Sequence, residues 1–149
     1  MSSIDRADPV IMGHILAEHR ELHAQLVGMR ACLAAPGRCV TSLRESLEHL
    51  RTHLRAHFCQ EETGGYLEES IARMPRLSAA AREVVAEHPQ LLAELDALLA
   101  DLPVGDIREE AWQAAGRGFA TFTDHLLAHE RNENAVVQQG YNEDFGFGD

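Results

Sequence analysis

The chain has 149 residues, Lys+Arg of 13 against Asp+Glu of 24, a formal net charge of −11, nine His and three Cys. That length fits one domain with one core and excludes a multidomain assembly. Every basic residue is Arg, no Arg stripe suits phosphates, and no apolar run approaches the roughly 20 residues that cross a bilayer, so neither nucleic acid nor membrane is an expected partner.

Ala and Leu dominate, aromatics make up 5 %, and β-branched residues are thinly spread, which predicts an all-α domain. The start, Met1-Ser2-Ser3-Ile4-Asp5-Arg6, has no apolar stretch of the signal-peptide kind, and Cys32, Cys39 and Cys59 are an odd set without CxxC spacing. A soluble cytoplasmic protein with reduced thiols is the expectation.

In chain order, Asp8-Pro9 reads as a cap and first helical residue, and Ile11, Ile15, Leu22, Leu26 and Leu33 recur at helical spacing up to Ala35-Pro36-Gly37. Ser42 with Glu45 has the form of a capping box, followed by an apolar face of Leu43, Leu47, Leu50, Leu54 and Phe58, with a break at Gly64-Gly65. Tyr66 to Arg73 continues as a kinked extension closed by Pro75. Ser78 caps a third run through Val84, Val85, Leu91, Leu95 and Leu98, with Pro89 inside it and a bend expected beside His88. Leu102 to Gly105 is a loop, and Asp106 with Glu109 opens a fourth helix carrying Trp112, Phe119, Phe122, Leu126 and Val136. The reading is a single domain over 1–149: an up-down-up-down four-helix bundle over about 9–138 and an irregular acidic tail over 140–149 that can fold back onto it.

The two halves repeat. Glu18-His19-Arg-Glu-Leu22-His-Ala24-Gln-Leu26 aligns in register with Glu87-His88-Pro-Gln-Leu91-Leu-Ala93-Glu-Leu95, and His53-Leu54-Arg-Ala56-His57-Phe-Cys-Gln-Glu61 aligns with His125-Leu126-Leu-Ala128-His129-Glu-Arg-Asn-Glu133. A duplicated helical hairpin with a His on its first helix and His-x-x-x-Glu on its second predicts a pseudo-two-fold site of six convergent metal ligands: His19, His57, Glu61, His88, His129 and Glu133. Residues four apart lie on one helix face, so each His/Glu pair can grip two ions about 3.5–4 Å apart, with each Glu bridging them. Four imidazoles and two bridging carboxylates leave about four of twelve octahedral positions open. That donor set suits iron or manganese better than the closed tetrahedral sites of zinc, and iron suits reactivity with dioxygen.

Across Glu18 to Glu133 the chain resembles the hemerythrin-like proteins, the HHE cation-binding group, whose four-helix bundle surrounds a non-haem di-iron centre. The resemblance implies the same six ligands and a cofactor of two iron ions, with manganese or zinc as alternatives. The chain departs from the animal hemerythrin pattern in having Val84 where a helix-three His would stand and Asn134 where an Asp ligand would, both usual in the bacterial-type group. No E-x-x-H occurs, which disfavours the ferritin-type carboxylate arrangement.

Among the other histidines, His23, His53 and His125 each sit one turn from a ligand and are expected to form a layer beside the metal layer, as further ligands, as hydrogen-bond partners of ligands, or as ordinary histidines. On the opposite side Ile15, Val84, Val137 and Gly65 form an apolar wall. His14 and His49 are expected to be unrelated to the site, and Cys59 to point away from it. Glu62 and Tyr66 follow the ligand turn and are read as packing residues, although the glycine break can swing the Tyr66 phenol toward the open position.

No nucleophile elbow, phosphate loop or cofactor fingerprint accompanies these residues, so ligand binding is expected rather than turnover. The expected role is a carrier, store or sensor of dioxygen or nitric oxide. Iron storage or donation for iron–sulfur repair, and a redox enzyme at the same centre, are the alternatives. The expected assembly is a monomer or homodimer.

Overall fold

The computed structural model describes residues 2–63 and 65–142, and side chains over 13–63, at 65 and over 67–140. The elements in order are α1 (Ser2–Ala34), α2 (Val40–Glu62), α3 (Tyr66–Arg73), a 3₁₀ turn (Pro75–Leu77), α4 (Ser78–Ala100) and α5 (Glu109–Asn142), with no strand among the described residues. Helix α1 packs on α2 and α5, and α4 packs on the same two, so the order around the bundle is α1, α2, α4, α5. The short α3 lies against α5 and touches α2 and α4.

One spacing rule builds all four long helices. Buried positions step by three and four residues in alternation: Ile15, His19, Leu22, Leu26, Met29 on α1; Val40, Leu43, Leu47, Leu50, Leu54, His57, Glu61 on α2; Ala81, Val84, His88, Leu91, Leu95 on α4; Phe119, Phe122, Leu126, His129, Glu133, Val136 on α5. A mean step of 3.5 keeps one stripe facing the bundle axis, the geometry of knobs-into-holes packing. Each fully buried Leu along these stripes contributes about 1.5–3 kcal/mol relative to an exposed one.

The stripes make two apolar blocks. One holds Leu22, Leu26, Leu50, Leu54, Leu91, Leu95, Phe122 and Leu126 with their neighbours. The other holds Ile15, Leu67, Leu77, Ala81, Val84, Val136 and Val137. The histidines and glutamates of the same stripes lie between the two.

Helix ends depart from the cap signals because core packing outweighs them. Helix α1 already runs from Ser2, upstream of the Asp8-Pro9 pair. Helix α2 begins at Val40, ahead of the Ser42/Glu45 box; Val40 is buried one helical step before Leu43, and the Ser42 hydroxyl instead accepts the Cys39 thiol at 3.0 Å. The 3₁₀ turn runs straight into α4, so Ser78 is its first residue rather than its cap, and α4 continues unbroken through Pro89. Helix α5 starts at Glu109 and closes its first turn from Trp112 N–H to Arg108 O (2.9 Å), leaving Asp106 in the loop. The Trp112 indole N–H donates to Leu33 O (3.2 Å), and Arg44 donates to Leu102 O (3.2 Å) and Pro103 O (2.7 Å), which pins the α4–α5 loop. Gly105 in that loop has φ 108°, a conformation side chains resist.

Helix α5 also continues to Asn142, past the expected tail boundary at 140. The rest of that tail, 143–149, and the Tyr66 side chain lie outside the described residues. Gly140 is buried under α3: a Cβ there would lie 2.5 Å from Ser70 Cβ and 2.8 Å from its Cα. Gly140→Ala is therefore expected to push α3 off α5 and destabilise the domain by about 1–3 kcal/mol. At exposed Gly28, where a Cβ meets nothing, Gly28→Ala should stabilise it by roughly 0.5–1 kcal/mol. Denaturant midpoints of the two variants read the difference directly.

Candidate metal centre

Most of the buried polar or charged side chains among the described residues gather in one layer. His19, His57, Glu61, His88, His129 and Glu133 are each 7 % exposed or less. Helix α1 supplies His19, α2 supplies His57 and Glu61 one turn apart, α4 supplies His88, and α5 supplies His129 and Glu133 one turn apart.

Their ligand atoms fall into two groups that can each hold a metal ion, within 4.8 Å of one another: His19, His57, Glu61 and Glu133 in one, Glu61, His88 and His129 in the other. Glu61 belongs to both. Its Oε2 lies 2.8 Å from His57 Nε2, and its Oε1 lies 3.0 Å from His88 Nε2. His19 Nε2 is 2.8 Å from Glu133 Oε1, with His57 Nε2 at 3.9 Å from the same oxygen.

Buried polar atoms without partners are costly, and this layer concentrates them. Glu61 Oε1, His88 Nε2, His129 Nε2 and Glu133 Oε2 have no hydrogen-bond partner; the 3.0 Å approach of His88 to Glu61 is out of line for one. All four are donors of electron pairs to a cation, so the set fits a metal.

Electrostatics agree with that reading. Burial pushes the Glu61 carboxyl up from 4.5, but the His57 and His88 imidazoles beside it outweigh burial and hold it at about 2, ionised at neutral pH. Burial lowers His19 and His129, keeping both imidazoles neutral. It acts the same way on His57, where the hydrogen bond and charge of Glu61 overcome it and leave the group raised.

Each of the four imidazoles also turns its outer nitrogen toward a carboxylate on the neighbouring helix. His88 Nδ1–H donates to Glu62 (2.6 Å), and His129 Nδ1–H to Glu87 (2.7 Å), itself held by Asn132 (3.4 Å). His57 Nδ1 faces Glu18 at 3.7 Å, and His19 Nδ1 faces buried Glu130 at 4.0 Å. In His88 and His129 a proton fixed on Nδ1 leaves Nε2 bare toward the centre. These four glutamates were not singled out as partners from the sequence, although the doubled Glu-His pairs Glu18-His19 and Glu87-His88 carried a signal. Phe58 stacks on His88 (centroids 3.8 Å apart, 5° between planes) and meets His129 edge-on at 5.3 Å.

His23, His53 and His125 do not form the expected layer, and none joins either group. Each faces one carboxylate across a helix interface: His23 Nε2–H to Glu130 (2.6 Å), His53 toward Glu21 (3.8 Å), His125 Nδ1–H to Glu94 (2.9 Å). Only His23 approaches the centre, through Glu130. The reason is the three-four alternation: after the four-residue step from Ile15 to His19 the next buried residue is Leu22, and on α2 and α5 the matching positions are Leu54 and Leu126. The expected imidazole wall is therefore apolar. The opposite wall, with Ile15, Val84 and Val137, is apolar as expected.

The family model for the hemerythrin HHE cation binding domain matches residues 10–139. The chain belongs to that family. No curated protein and no solved structure matches it. A hemerythrin domain is a cation-binding domain, typically for iron, and the His/Glu layer is where this one can hold a metal. No helix among the described residues is long and apolar enough to cross a membrane.

In the metal-free protein, Glu61 contributes stability that is complete above pH 4.5 and is lost as pH falls through about 2. Replacing it by Gln should remove that part of the acid-side fall and, because Glu61 is what raises His57, also change the slope around the histidine range near pH 6.5. Denaturant midpoints of metal-free wild type and Glu61→Gln across both ranges provide the check.

Proposed function

We propose that this hemerythrin-domain protein is a non-haem di-iron protein that binds dioxygen or nitric oxide as a carrier, store or sensor. The observation that carries the reading is the pair of donor groups sharing the buried, ionised Glu61. His19, His57 and Glu133 would hold one ion with Glu61, and His88 and His129 the other. The iron pair, when bound, supplies electrons and open coordination positions to a diatomic ligand.

The chain's own residues supply the rest. Glu62 and Glu87 keep His88 and His129 in the tautomer that presents Nε2 inward. In the metal-free state His57 Nε2–H and His19 Nε2–H donate to Glu61 and Glu133, so a cation would take these nitrogens only once the proton has left Nε2, with Nδ1, facing Glu18 and Glu130, available to carry it. The apolar blocks keep water from the two ends of the layer along the bundle, which favours reversible binding over oxidation of the centre. Nothing in the layer resembles an activated nucleophile.

Protein purified without added metal is expected to carry about two irons per chain and to show a visible band that appears with dioxygen and leaves on its removal. Iron without that change would overturn the oxygen reading, and nitric oxide titration then tests the other ligand. Iron at about 100 times its Kd should raise stability by about 2.7 kcal/mol for each site filled, roughly 5–10 °C in Tm per site. An unchanged Tm would mean that the layer holds no ion. Glu87→Gln should weaken iron binding by about 10–100-fold, whereas Glu94→Gln should leave it unchanged; competition with a chelator of known affinity measures both.

A further inference from the structure

We infer that divalent cations enter the centre through the cavity between α1 and α2, a route lined by carboxylates and imidazoles that suits hydrated ferrous iron. The inference rests on the metal-binding reading above. The cavity encloses about 560 Å³ and reaches from His14 and Glu21 at its mouth, past Glu18, to His57 and Glu61 at its inner end. Exposure falls along that line, from 72 % at the Glu21 side chain through 35 % at Glu18 to 6 % at His57. Glu61, more than nine-tenths buried, ends the route, and its Oε1 has no partner. A hydrated cation moving inward exchanges water for oxygen and nitrogen donors step by step, whereas a neutral diatomic molecule gains nothing from these charges. His14, which the sequence reading set aside, belongs to this mouth.

The internal duplication sets this opening against its counterpart in the other half. In the register that aligns His19 with His88 and His57 with His129, Gly13 corresponds to Arg82, Gly65 to Val137, Glu21 to Gln90 and His14 to Glu83. Two glycines leave space where the other half carries a long cation and a fully buried Val137. The matching cavity between α4 and α5 is smaller, about 260 Å³, and its lining includes His129 but not Glu133. Glu21 is matched by Gln90 and His14 by Glu83, so the two halves carry the same number of carboxylates at these positions and differ in the space that the glycines leave. With a net charge of −11, the chain draws cations in, and the cleft focuses that field.

The two glycines differ in use. A Cβ at Gly65 would lie 2.7 Å from Gln60 O and 2.9 Å from Glu61 Cα, so substitution there disturbs the ligand itself. A Cβ at Gly13 meets nothing within 4 Å, so a larger side chain can fill the cavity without displacing its walls.

The test is Co²⁺ uptake by the metal-free full chain at low ionic strength, followed in a stopped-flow instrument by ligand-field absorption. Gly13→Leu is expected to slow uptake about tenfold or more with the final stoichiometry unchanged, and His14→Gln/Glu21→Gln to slow it several-fold in a manner that fades with added salt. Glu94→Gln, on the opposite face, should load at the wild-type rate. Circular dichroism confirms that each variant is folded, and the double variant tests the route should Gly13→Leu not fold. Wild-type rates in both cavity variants, or equal slowing by Glu94→Gln, would overturn the route while leaving the metal reading intact. A wild type that takes up no Co²⁺ would overturn both.

Discussion

The structure depends on keeping ionised carboxylate in the middle of a helical core. Moving a carboxylate out of water is prohibitive unless partners replace the lost hydration. Glu61 meets part of that demand with His57 of its own helix at 2.8 Å from one oxygen and His88 of α4 at 3.0 Å from the other, where the hydrogen-bonding capacity is left open for a cation. The partners in turn come from all four long helices, so the layer works only if their registers agree. Unbroken apolar packing on both sides supplies that agreement. The three-four alternation passes through the ligands without a skip, and a His takes one stripe position on α1 and α4 while a His and a Glu take two successive ones on α2 and α5.

The outer carboxylates extend the same logic around the bundle. Glu18 on α1 faces His57 on α2, Glu62 on α2 bonds His88 on α4, Glu87 on α4 bonds His129 on α5, and Glu130 on α5 faces His19 on α1. Each helix therefore orients a ligand of the next, and the circuit closes. The duplication accounts for half of it: Glu18 and Glu87 are equivalent positions. Glu62 and Glu130 are not, since their counterparts in the repeat are Asn134 and Phe58. Direct bonds of 2.6 and 2.7 Å consequently fix His88 and His129, which also pack on Phe58, while His57 and His19 face their carboxylates at 3.7 and 4.0 Å. The pseudo-symmetric centre is more rigid on one side than on the other.

Much of this was readable from the sequence because the decisive signals are local and doubled. His-x-x-x-Glu puts two donors on one face of a helix whatever its neighbours do, and an in-register second copy supplied the other half. The break at Gly64-Gly65, the short helix after it and the family resemblance were legible for the same reason. Contacts between helices were less so. Placing His23, His53 and His125 in the core required the next turn to fall four residues on, and packing against three partners selected the three-residue neighbours Leu22, Leu54 and Leu126 instead. Helix starts failed similarly: Ser42 and Ser78 are good caps in isolation, but burial of Val40 and Leu77 places the helical boundary elsewhere.

A duplicated hairpin of two identical halves would give a cage equally open or equally closed on both faces. Symmetry alone cannot make a ligand-rich interior both sealed and accessible, and here the asymmetric positions divide those tasks. The α4–α5 half carries Arg82 and Val137 where the other half has glycines, and its imidazoles are the tightly oriented pair. The α1–α2 half has Gly13 and Gly65, a cavity that reaches His57 and Glu61, and loosely held imidazole partners. Glu61 joins the two halves, with one oxygen toward the open side's His57 and the other toward the closed side's His88. Charge arriving at one group is therefore felt by the other through a single buried carboxylate.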